Sequence, residues 1–336
     1  MISKLEWLKT ALLIVLVISM IFIIMLDREL LNDDESTAVP IAIKRENKQT
    51  IFNLTFLNLD TAYVLPFEFL ENPSHHCIDP PFLLMITLSA PTHFKAREVI
   101  RNHRGNITNV AEHKVVQLFI VGKQANDTGN VIRHLHMEYL EYEDIILIDA
   151  FDNYQNVTLK AAMLLKWAVH HCRRAKYILK TDDDVLVILK NTVMLLESAP
   201  PRNVAIGRVF PHAFALRNQT AKNRSTKQQW PYKYYPPFIV GVTCIVSQDV
   251  AQRMYEQSLH IRMFHIQDVY YGILFWLIGI KPQHNNHFAV LASNVCKLPC
   301  CRNNIVAVHF SGTENLYRHI KNVTEYNLLN DTKSCI

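Results

Sequence analysis

Three consecutive aspartates, Asp182, Asp183 and Asp184, stand inside an otherwise apolar run. Tyr177-Ile178-Leu179-Lys180-Thr181 precedes them and Val185-Leu186-Val187-Ile188-Leu189 comes after. This arrangement narrows the folds open to the chain. A buried strand must surface here, deliver its carboxylates and turn back into the interior, whereas a solvated acidic loop would have polar neighbours. Adjacent carboxylates repel one another in a low-dielectric setting unless a cation shares them. Hard oxygen donors at positions i and i+2 suit Mg²⁺ or Mn²⁺, and such an ion suits a diphosphate-bearing ligand. Aspartates are also good helix N-caps, so on these residues alone a structural use of the triplet stays open.

The flanking pattern places the triplet on a sheet. Strands are expected at residues 82–88, 115–121, 145–148 and 177–179, and helices at 95–102, 130–142 and 157–171. Strand-helix alternation at this rhythm implies an α/β fold, a single domain with a largely parallel central sheet flanked by helices. Open sheets of this kind bind ligands beyond the carboxyl ends of their strands, and the triplet stands at such an end. From Cys77 onward about 260 residues are available, enough for one large domain with a full core. Residues 27–76 mix charges, Asn, Thr and scattered apolar side chains without sustained periodicity and read as a stem.

Residues 11–26 are apolar but for Ser19, with Lys4 and Lys9 before them and Asp27, Asp33, Asp34 and Glu35 after. Extended to residue 8, the run reaches about 19 residues, enough to cross a bilayer core. Positive charge on its N-terminal side places the N-terminus in the cytosol. No small-x-small cleavage site stands after it, which favours a signal anchor over a cleaved signal peptide. The expected organisation is a cytosolic tail at 1–7, a transmembrane anchor at 8–26, a stem at 27–76 and a lumenal domain at 77–336. Asn-x-Ser/Thr acceptor sites at Asn53, Asn106, Asn126, Asn156, Asn218, Asn223, Asn322 and Asn330 agree with a lumenal chain. So do seven cysteines, Cys77, Cys172, Cys244, Cys296, Cys300, Cys301 and Cys335. Disulfide use fits them better than zinc, because no second pair stands at finger spacing from Cys296, Cys300 and Cys301. Their pairing is open. The net charge of +5 is mildly basic and makes no case for a nucleic-acid partner. Residues 217–233 carry five basic side chains, Arg217, Lys222, Arg224, Lys227 and Lys233, and no acid. With two acceptor sites inside it, the segment reads as an exposed loop.

Several blocks then line up in order. Leu88-Ser89-Ala90-Pro91 is succeeded by Arg97-Glu98-Val99-Ile100-Arg101, and then by Phe119-Ile120-Val121-Gly122. A long block runs from Asp144 through Asp149-Ala150-Phe151-Asp152 to Asn156-Val157-Thr158-Leu159-Lys160, with Trp167 and Cys172 beyond it. Lys180 and the triplet come next, then Tyr235-Pro236-Pro237-Phe238 with Gly241 and Ser247, and last Gln267-Asp268-Val269-Tyr270-Tyr271-Gly272. Together these resemble the β1,3-galactosyltransferase and β1,3-N-acetylglucosaminyltransferase family of Golgi enzymes, from about Cys77 to His309.

The resemblance implies a GT-A-like fold, a UDP-sugar donor, Mn²⁺, a glycan acceptor on protein or lipid, and an inverting reaction that makes a β1,3 bond. It also implies a single-pass Golgi membrane protein with its catalytic domain in the lumen. Asp182 and Asp184 would hold the cation, with His309 as a further ligand. Lys180, Asp182 and Asp183 would face the donor, and Arg97 and Arg101 would brace its nucleotide with charged forks suited to phosphate. Asp268 would be the base that takes the proton from the acceptor hydroxyl. Ordinary packing for His309, a solvated helix face for the two arginines and a helix cap for Asp268 are the structural alternatives. Trp230, Tyr232, Tyr234 and Tyr235 form either a sugar-stacking platform or a loop packed on its own aromatics.

The chain departs from the family at three places. His103 and Arg104 replace a small hydroxyl residue and Trp, Gln267 replaces Glu, and Val242-Thr243-Cys244 stands where a small residue and Tyr are usual. These departures open a second reading, that of a catalytically inactive, Golgi-anchored relative that binds carbohydrate or a partner. A lumenal metal-dependent hydrolase is a third, disfavoured by the lack of a second carboxylate-His grouping.

Overall fold

The computed structural model describes residues 52–63, 65–104, 107–153, 156–218, 220–221, 223–290, 304–310 and 312. The expected tail, anchor and stem residues up to 51 lie outside these. So do Cys296, Cys300, Cys301 and Cys335 and the acceptor sites at Asn106, Asn322 and Asn330. Among the described residues no helix is long and apolar enough to cross a membrane.

All six residues of β2 (Leu83–Leu88) are buried, as a strand covered on both faces requires. Alternate side chains serve opposite sides. Leu84, Ile86 and Leu88 join one core cluster, while Leu83 and Met85 join another. In chain order, β1 (Phe69–Glu71) precedes β2, and α1 (Phe94–Arg104) comes after it. Then come β3 (Asn109–Val110), β4 (His113–Lys123), α2 (Asn130–Tyr142), β5 (Ile145–Phe151) and α3 (Val157–His171). β6 (Tyr177–Asp182) and β7 (Val185–Val187) flank the acidic turn and lead to α4 (Leu189–Glu197) and β8 (Ala205–Phe210). The remainder comprises β9 (Phe238–Ser247), α5 (Gln248–Ser258), α6 (Gln267–Leu277), β10 (Gln283–His284), β11 (Phe288–Ala289) and β12 (Ala307–His309).

The main sheet has the order β1-β5-β4-β2-β6-β9-β8-β10, with β3 paired to β4. Its middle, β5-β4-β2-β6, is parallel as expected. The sheet as a whole is mixed, because β9 runs against both β6 and β8, and β1 runs against β5. Helices α3, α5 and α6 cover one face; α1, α2 and α4 cover the other. A second, three-stranded sheet, β11-β12-β7, stands beside the acidic turn.

The stem expectation needs correcting between residues 52 and 76. Phe52, Leu54, Leu57 and Leu65 are buried in the larger core cluster. Their backbone is tied to residues 259–262 by Leu59 N to His260 O at 2.9 Å and Arg262 N to Leu57 O at 2.7 Å. β1 extends the main sheet. The partners of this segment lie some two hundred residues along the chain, so no local periodicity announces it. A disulfide joins Cys77, just before β2, to Cys172 at the end of α3, and Cys244 is a buried free thiol.

Candidate active site

The carboxyl ends of β2 and β6 lie side by side, with Leu88 opposite Asp182 in register. The segments that leave the two strands meet there. Ser89 Oγ donates to Asp183 Oδ2 at 2.8 Å, and His93 Nδ1 lies 2.8 Å from the same oxygen. The hydrogen bond to Asp183 raises the His93 pKa against the effect of burial. Asp183 is thus held in the wall of the site.

Arg97 and Arg101 stand behind that wall. Arg97 is wholly buried. Its Nε and Nη2 pair with both oxygens of Glu138 at 2.8 and 2.7 Å, and its Nη1 donates to Ser89 Oγ at 3.0 Å and Ala90 O at 2.7 Å. The last donor reaches Pro91 O at 3.4 Å. Arg101 pairs with Asp144 through two bonds of 2.8 Å and with Glu138 at 2.7 Å. Burial opposes ionisation of Glu138, yet the two arginines hold its pKa below the ordinary value. The expectation that these arginines brace a nucleotide is therefore corrected. The guanidinium donors of Arg97 are all used within the protein, and those of Arg101 are turned to two carboxylates. Arg97 holds the Ser89 corner, and Arg101 buttresses Glu138 behind it. Glu138 lies 41 positions from Arg97 on α2, beyond the reach of a motif read in one dimension.

On the other side of β6 a second group forms. Lys180 is buried, and its Nζ donates to Asp182 Oδ1 at 2.7 Å and to the Gly241 carbonyl. Burial pushes the Asp182 carboxyl up to about 6; Lys180 opposes that rise, while Asp184 and Asp268 add to it. Asp268 occupies the first turn of α6. Burial raises its pKa too, against Lys180 and the Gly241 N–H. Helix α6 lies close on β9 because two glycines leave room. A Cβ at Gly272 would fall 2.6 Å from Phe238 Cβ, and one at Gly241 would fall 2.6 Å from the Asp268 carboxyl carbon. The Gly241 site also faces Gln267 Oε1, 2.9 Å from the same hypothetical Cβ.

His309 arrives on β12, which pairs antiparallel with β7 and sets His309 opposite Val185. Its Nδ1–H donates to Val290 O at 2.8 Å; Nε2, 3.2 Å from Asp184 Oδ2, donates to that carboxylate when the ring is protonated and offers its lone pair to a metal when the ring is neutral. Burial lowers its pKa, but Asp184, the Val290 carbonyl and Asp182 together raise it. Among the described residues, no three His, Cys, Asp or Glu side chains converge as a cation cage. The donors come as one close pair, Asp184 and His309, with Asp182 turned toward Lys180. Carboxylate and imidazole suit Mn²⁺ in character, and two protein donors leave coordination positions for phosphate oxygens and water. The residues fit a cation that is completed by its substrate.

Some participants escaped the sequence reading. Lys160 is buried; its Nζ donates to Ser89 O at 2.9 Å and to Asp152 Oδ2 at 2.5 Å, tying the end of β5 to the β2 corner. Its spacing from Asp152 within the long block was the available signal. His93 had none, being a lone histidine before a helix. Of the four aromatics, Trp230 and Tyr235 belong to the core, with Trp230 Nε1 bonded to Tyr234 O at 2.9 Å. Tyr232 packs at ring distance from Phe52 and Trp230. The loop is packed on its own aromatics. Arg217 is spent on it as well, donating to the carbonyls of Ser225, Trp230 and Tyr232.

Residues 95–286 match the galactosyltransferase family profile. Beta-1,3-galactosyltransferase 1 of Mus musculus, and equally of Homo sapiens, is 33% identical over 274 residues, covering 79% of this chain and 82% of the relative. UDP-GalNAc:beta-1,3-N-acetylgalactosaminyltransferase 1 of Rattus norvegicus is 31% identical over 268 residues, covering 77% of this chain and 80% of the relative. A more distant likeness joins the chain to a solved galactosyltransferase, LgtC, in complex with donor and acceptor sugar analogs. There the TM-score is 0.38 at 13% identity, over 75% of this chain and 97% of that one.

Proposed function

The chain belongs to the galactosyltransferase family, and we propose that it is an inverting hexosyltransferase. It moves galactose or an N-acetylhexosamine from a UDP-sugar to a hydroxyl of an acceptor glycan, in β1,3 linkage. One observation carries this reading: the ammonium of Lys180 bonds Asp182 on the donor side and, on the other, the carbonyl of Gly241, against which the Asp268 carboxyl packs. A single strand end thereby brings a leaving-group site and a base together.

Each residue has a part. Ionised Asp268 accepts the proton of the acceptor hydroxyl as that oxygen attacks the anomeric carbon. UDP departs from the opposite face with the electrons of the broken glycosidic bond. Burial keeps the pKa of this base above that of an ordinary aspartate, which strengthens it as a proton acceptor. Asp184 and His309 would hold a divalent cation, Mn²⁺ by family resemblance, which supplies Lewis-acid stabilisation of the diphosphate. Asp183, fixed by Ser89 and His93, and Asp152, fixed by Lys160, shape the donor pocket at the carboxyl ends of β2, β5 and β6.

The fold reading is the GT-A arrangement. Residues 8–26 anchor the chain in the Golgi membrane, with the catalytic domain in the lumen and a stem ending near residue 51. The acceptor glycan is carried by protein or lipid.

The test uses the full chain in detergent with Mn²⁺ and each of UDP-galactose, UDP-N-acetylgalactosamine and UDP-N-acetylglucosamine against a panel of glycans. A β1,3-linked product that disappears in Asp268→Asn, while UDP still raises the unfolding temperature, supports the assignment. Undiminished transfer by Asp268→Asn overturns the base. No UDP response in folded wild type would favour the non-catalytic, carbohydrate-binding reading.

A further inference from the structure

Residues 198–248 contain no Asp or Glu, yet they carry Arg202, Arg208, Arg217, Lys222, Arg224, Lys227 and Lys233. The stretch offers charge of one sign only. Most of it is the connection from β8 to β9, and the sheet fixes where that connection emerges. β6 and β8 both run against β9, so they point the same way, and the chain leaves β8 at the end of the sheet that bears the acidic turn. The connection is anchored beside the proposed base. Trp230 and Tyr235 pack on the Phe264 ring at 5.8 and 5.9 Å between centres, and Phe264 stands just before α6 and Asp268.

Within the connection, residues 213–216 and 233–235 lie antiparallel. Tyr235 N donates to Ala213 O at 3.0 Å and Ala215 N to Lys233 O at 2.9 Å, with Phe214 opposite Tyr234 between them. Side chains alternate across such a pair. Ala215 and Tyr235 turn inward, at 8% and 4% exposure, and the packed aromatics of this loop belong to that inner side. Phe214 and Leu216 turn outward, at 51% and 40%. The Phe214 and Tyr234 rings stand 4.6 Å apart between centres, inclined at 41°. Lys233 Nζ lies 5.4 Å from the first ring centre and 5.2 Å from the second. The outer side of the loop is thus a ring pair with an ammonium held over it, in a stretch that supplies no carboxylate to answer the charge.

We propose that this outer side is an acceptor subsite and that the acceptor is an anionic glycan. A pyranose lays its C–H face on Phe214 and Tyr234, and its carboxylate or sulfate ester pairs with Lys233. The inference deepens the transferase reading and rests on it. The chain from Tyr234 to Gly241, against which Asp268 packs, spans at most about 25 Å when fully extended, so a short oligosaccharide reaches from the ring pair to the base. A neutral glycan would find the rings and leave the ammonium unpaired. Charge, not ring shape, therefore makes the selection here.

The test uses the full chain in detergent with Mn²⁺ and UDP, titrated with matched trisaccharides in neutral, sulfated and uronate-bearing forms. An acidic form should bind about tenfold more tightly than the neutral one, the size of a charge-assisted hydrogen bond at a surface, and the gap should narrow as salt is added. Whether the sulfated or the uronate form shows the gap identifies the acid. Lys233→Gln should close the gap, Phe214→Ala should weaken all forms, and Phe214→Tyr should restore binding. Each variant should keep the wild-type unfolding temperature and its shift with UDP, and where transfer is seen the loss should fall in the acceptor KM. Equal binding of the forms, no binding, or a gap that survives Lys233→Gln overturns the subsite even if a β1,3-linked product is formed. Acid-selective binding that depends on Lys233, with no transfer from any UDP-sugar, upholds the subsite and overturns the transferase reading. Capture of phosphatidylserine vesicles that Phe214→Ala abolishes, with no saccharide bound, would make the patch a membrane contact and overturn the proposal.

Discussion

The carboxylate of Asp268 fills the space that a side chain at Gly241 would need, with a hypothetical Cβ only 2.6 Å from its carboxyl carbon. One methyl group should therefore move the base. Gly241→Ala should lower turnover by about 10²-fold or more, within the range of a lost general base. The UDP-induced shift in unfolding temperature should be kept. Equal loss of both would mean that the substitution had spoiled the fold around β9 and not the base alone.

Asp184 is half-buried and its side chain is bonded to His309, so its removal should spare the fold and spoil the cation site. Wild type with Mn²⁺ and UDP at about 100 times the dissociation constant should gain about 2.7 kcal/mol of stability by mass action. Asp184→Ala should show little of that gain in thermal unfolding, with its ligand-free midpoint close to wild type.

Arg97 answers to Glu138, not to a nucleotide. Arg97→Met leaves that buried carboxylate one partner short and should cost about 3 kcal/mol or more in urea unfolding, as a broken buried pair does. Arg97→Met with Glu138→Leu should recover part of the loss, since two apolar groups leave no unpaired charge. A fall in UDP affinity without a fall in stability would reverse this assignment.

Protons should compete with the cation. His309, whose pKa burial lowers but Asp184 and the Val290 carbonyl raise above its ordinary value, serves a metal only when its Nε2 is deprotonated. Affinity for Mn²⁺ should weaken as pH falls through the His309 pKa, with up to about one proton released per ion bound. Calorimetry in buffers of different ionisation enthalpy reads that number. Stability of the ligand-free protein tracks Asp182 with the opposite sense. Its folded pKa is raised, so its contribution is complete below about pH 4 and is lost as pH rises through about 6.

Reduction should weaken the whole domain. Cys77 and Cys172 are 95 positions apart, and closing a loop of that length is worth about 4–5 kcal/mol in the chain-entropy account. Cys77→Ala with Cys172→Ala should unfold at correspondingly lower denaturant, and dithiothreitol should lower the wild-type midpoint in the same direction.

Much of this architecture could be read along the chain. Helices at 130–142 and 157–171 match α2 and α3 to the residue, and the four expected strands all exist: β2 starts one residue later than expected, and the other three run two or three residues longer at one or both ends. Local periodicity carried those. What it missed depends on distant partners. β9 enters between β6 and β8 against their direction, and nothing within Phe238–Ser247 states its orientation. The burial of Leu54 and Leu57 waits on residues near 260. In the site, Asp182 and Asp184 stood out because charge inside an apolar run is anomalous. Asp268 and Arg97 were picked out by family resemblance alone, and a buried guanidinium and a ligand-facing one look alike until Glu138 is seen beside Arg97.

β6 is the strand at which the main sheet changes direction, with parallel β2 on one edge and antiparallel β9 on the other. In the proposed reaction, segments that leave the sheet after β2, β5 and β6 would form the donor half. A strand entering from the opposite sense, with the helix lying on it, would form the acceptor half. Lys180 links the two sides directly, from Asp182 to the Gly241 carbonyl. On that reading, changes on the β9 side would alter acceptor choice without disturbing how the nucleotide is held. A lineage carrying this fold is free to diversify its acceptors while keeping one inherited grip on its donor.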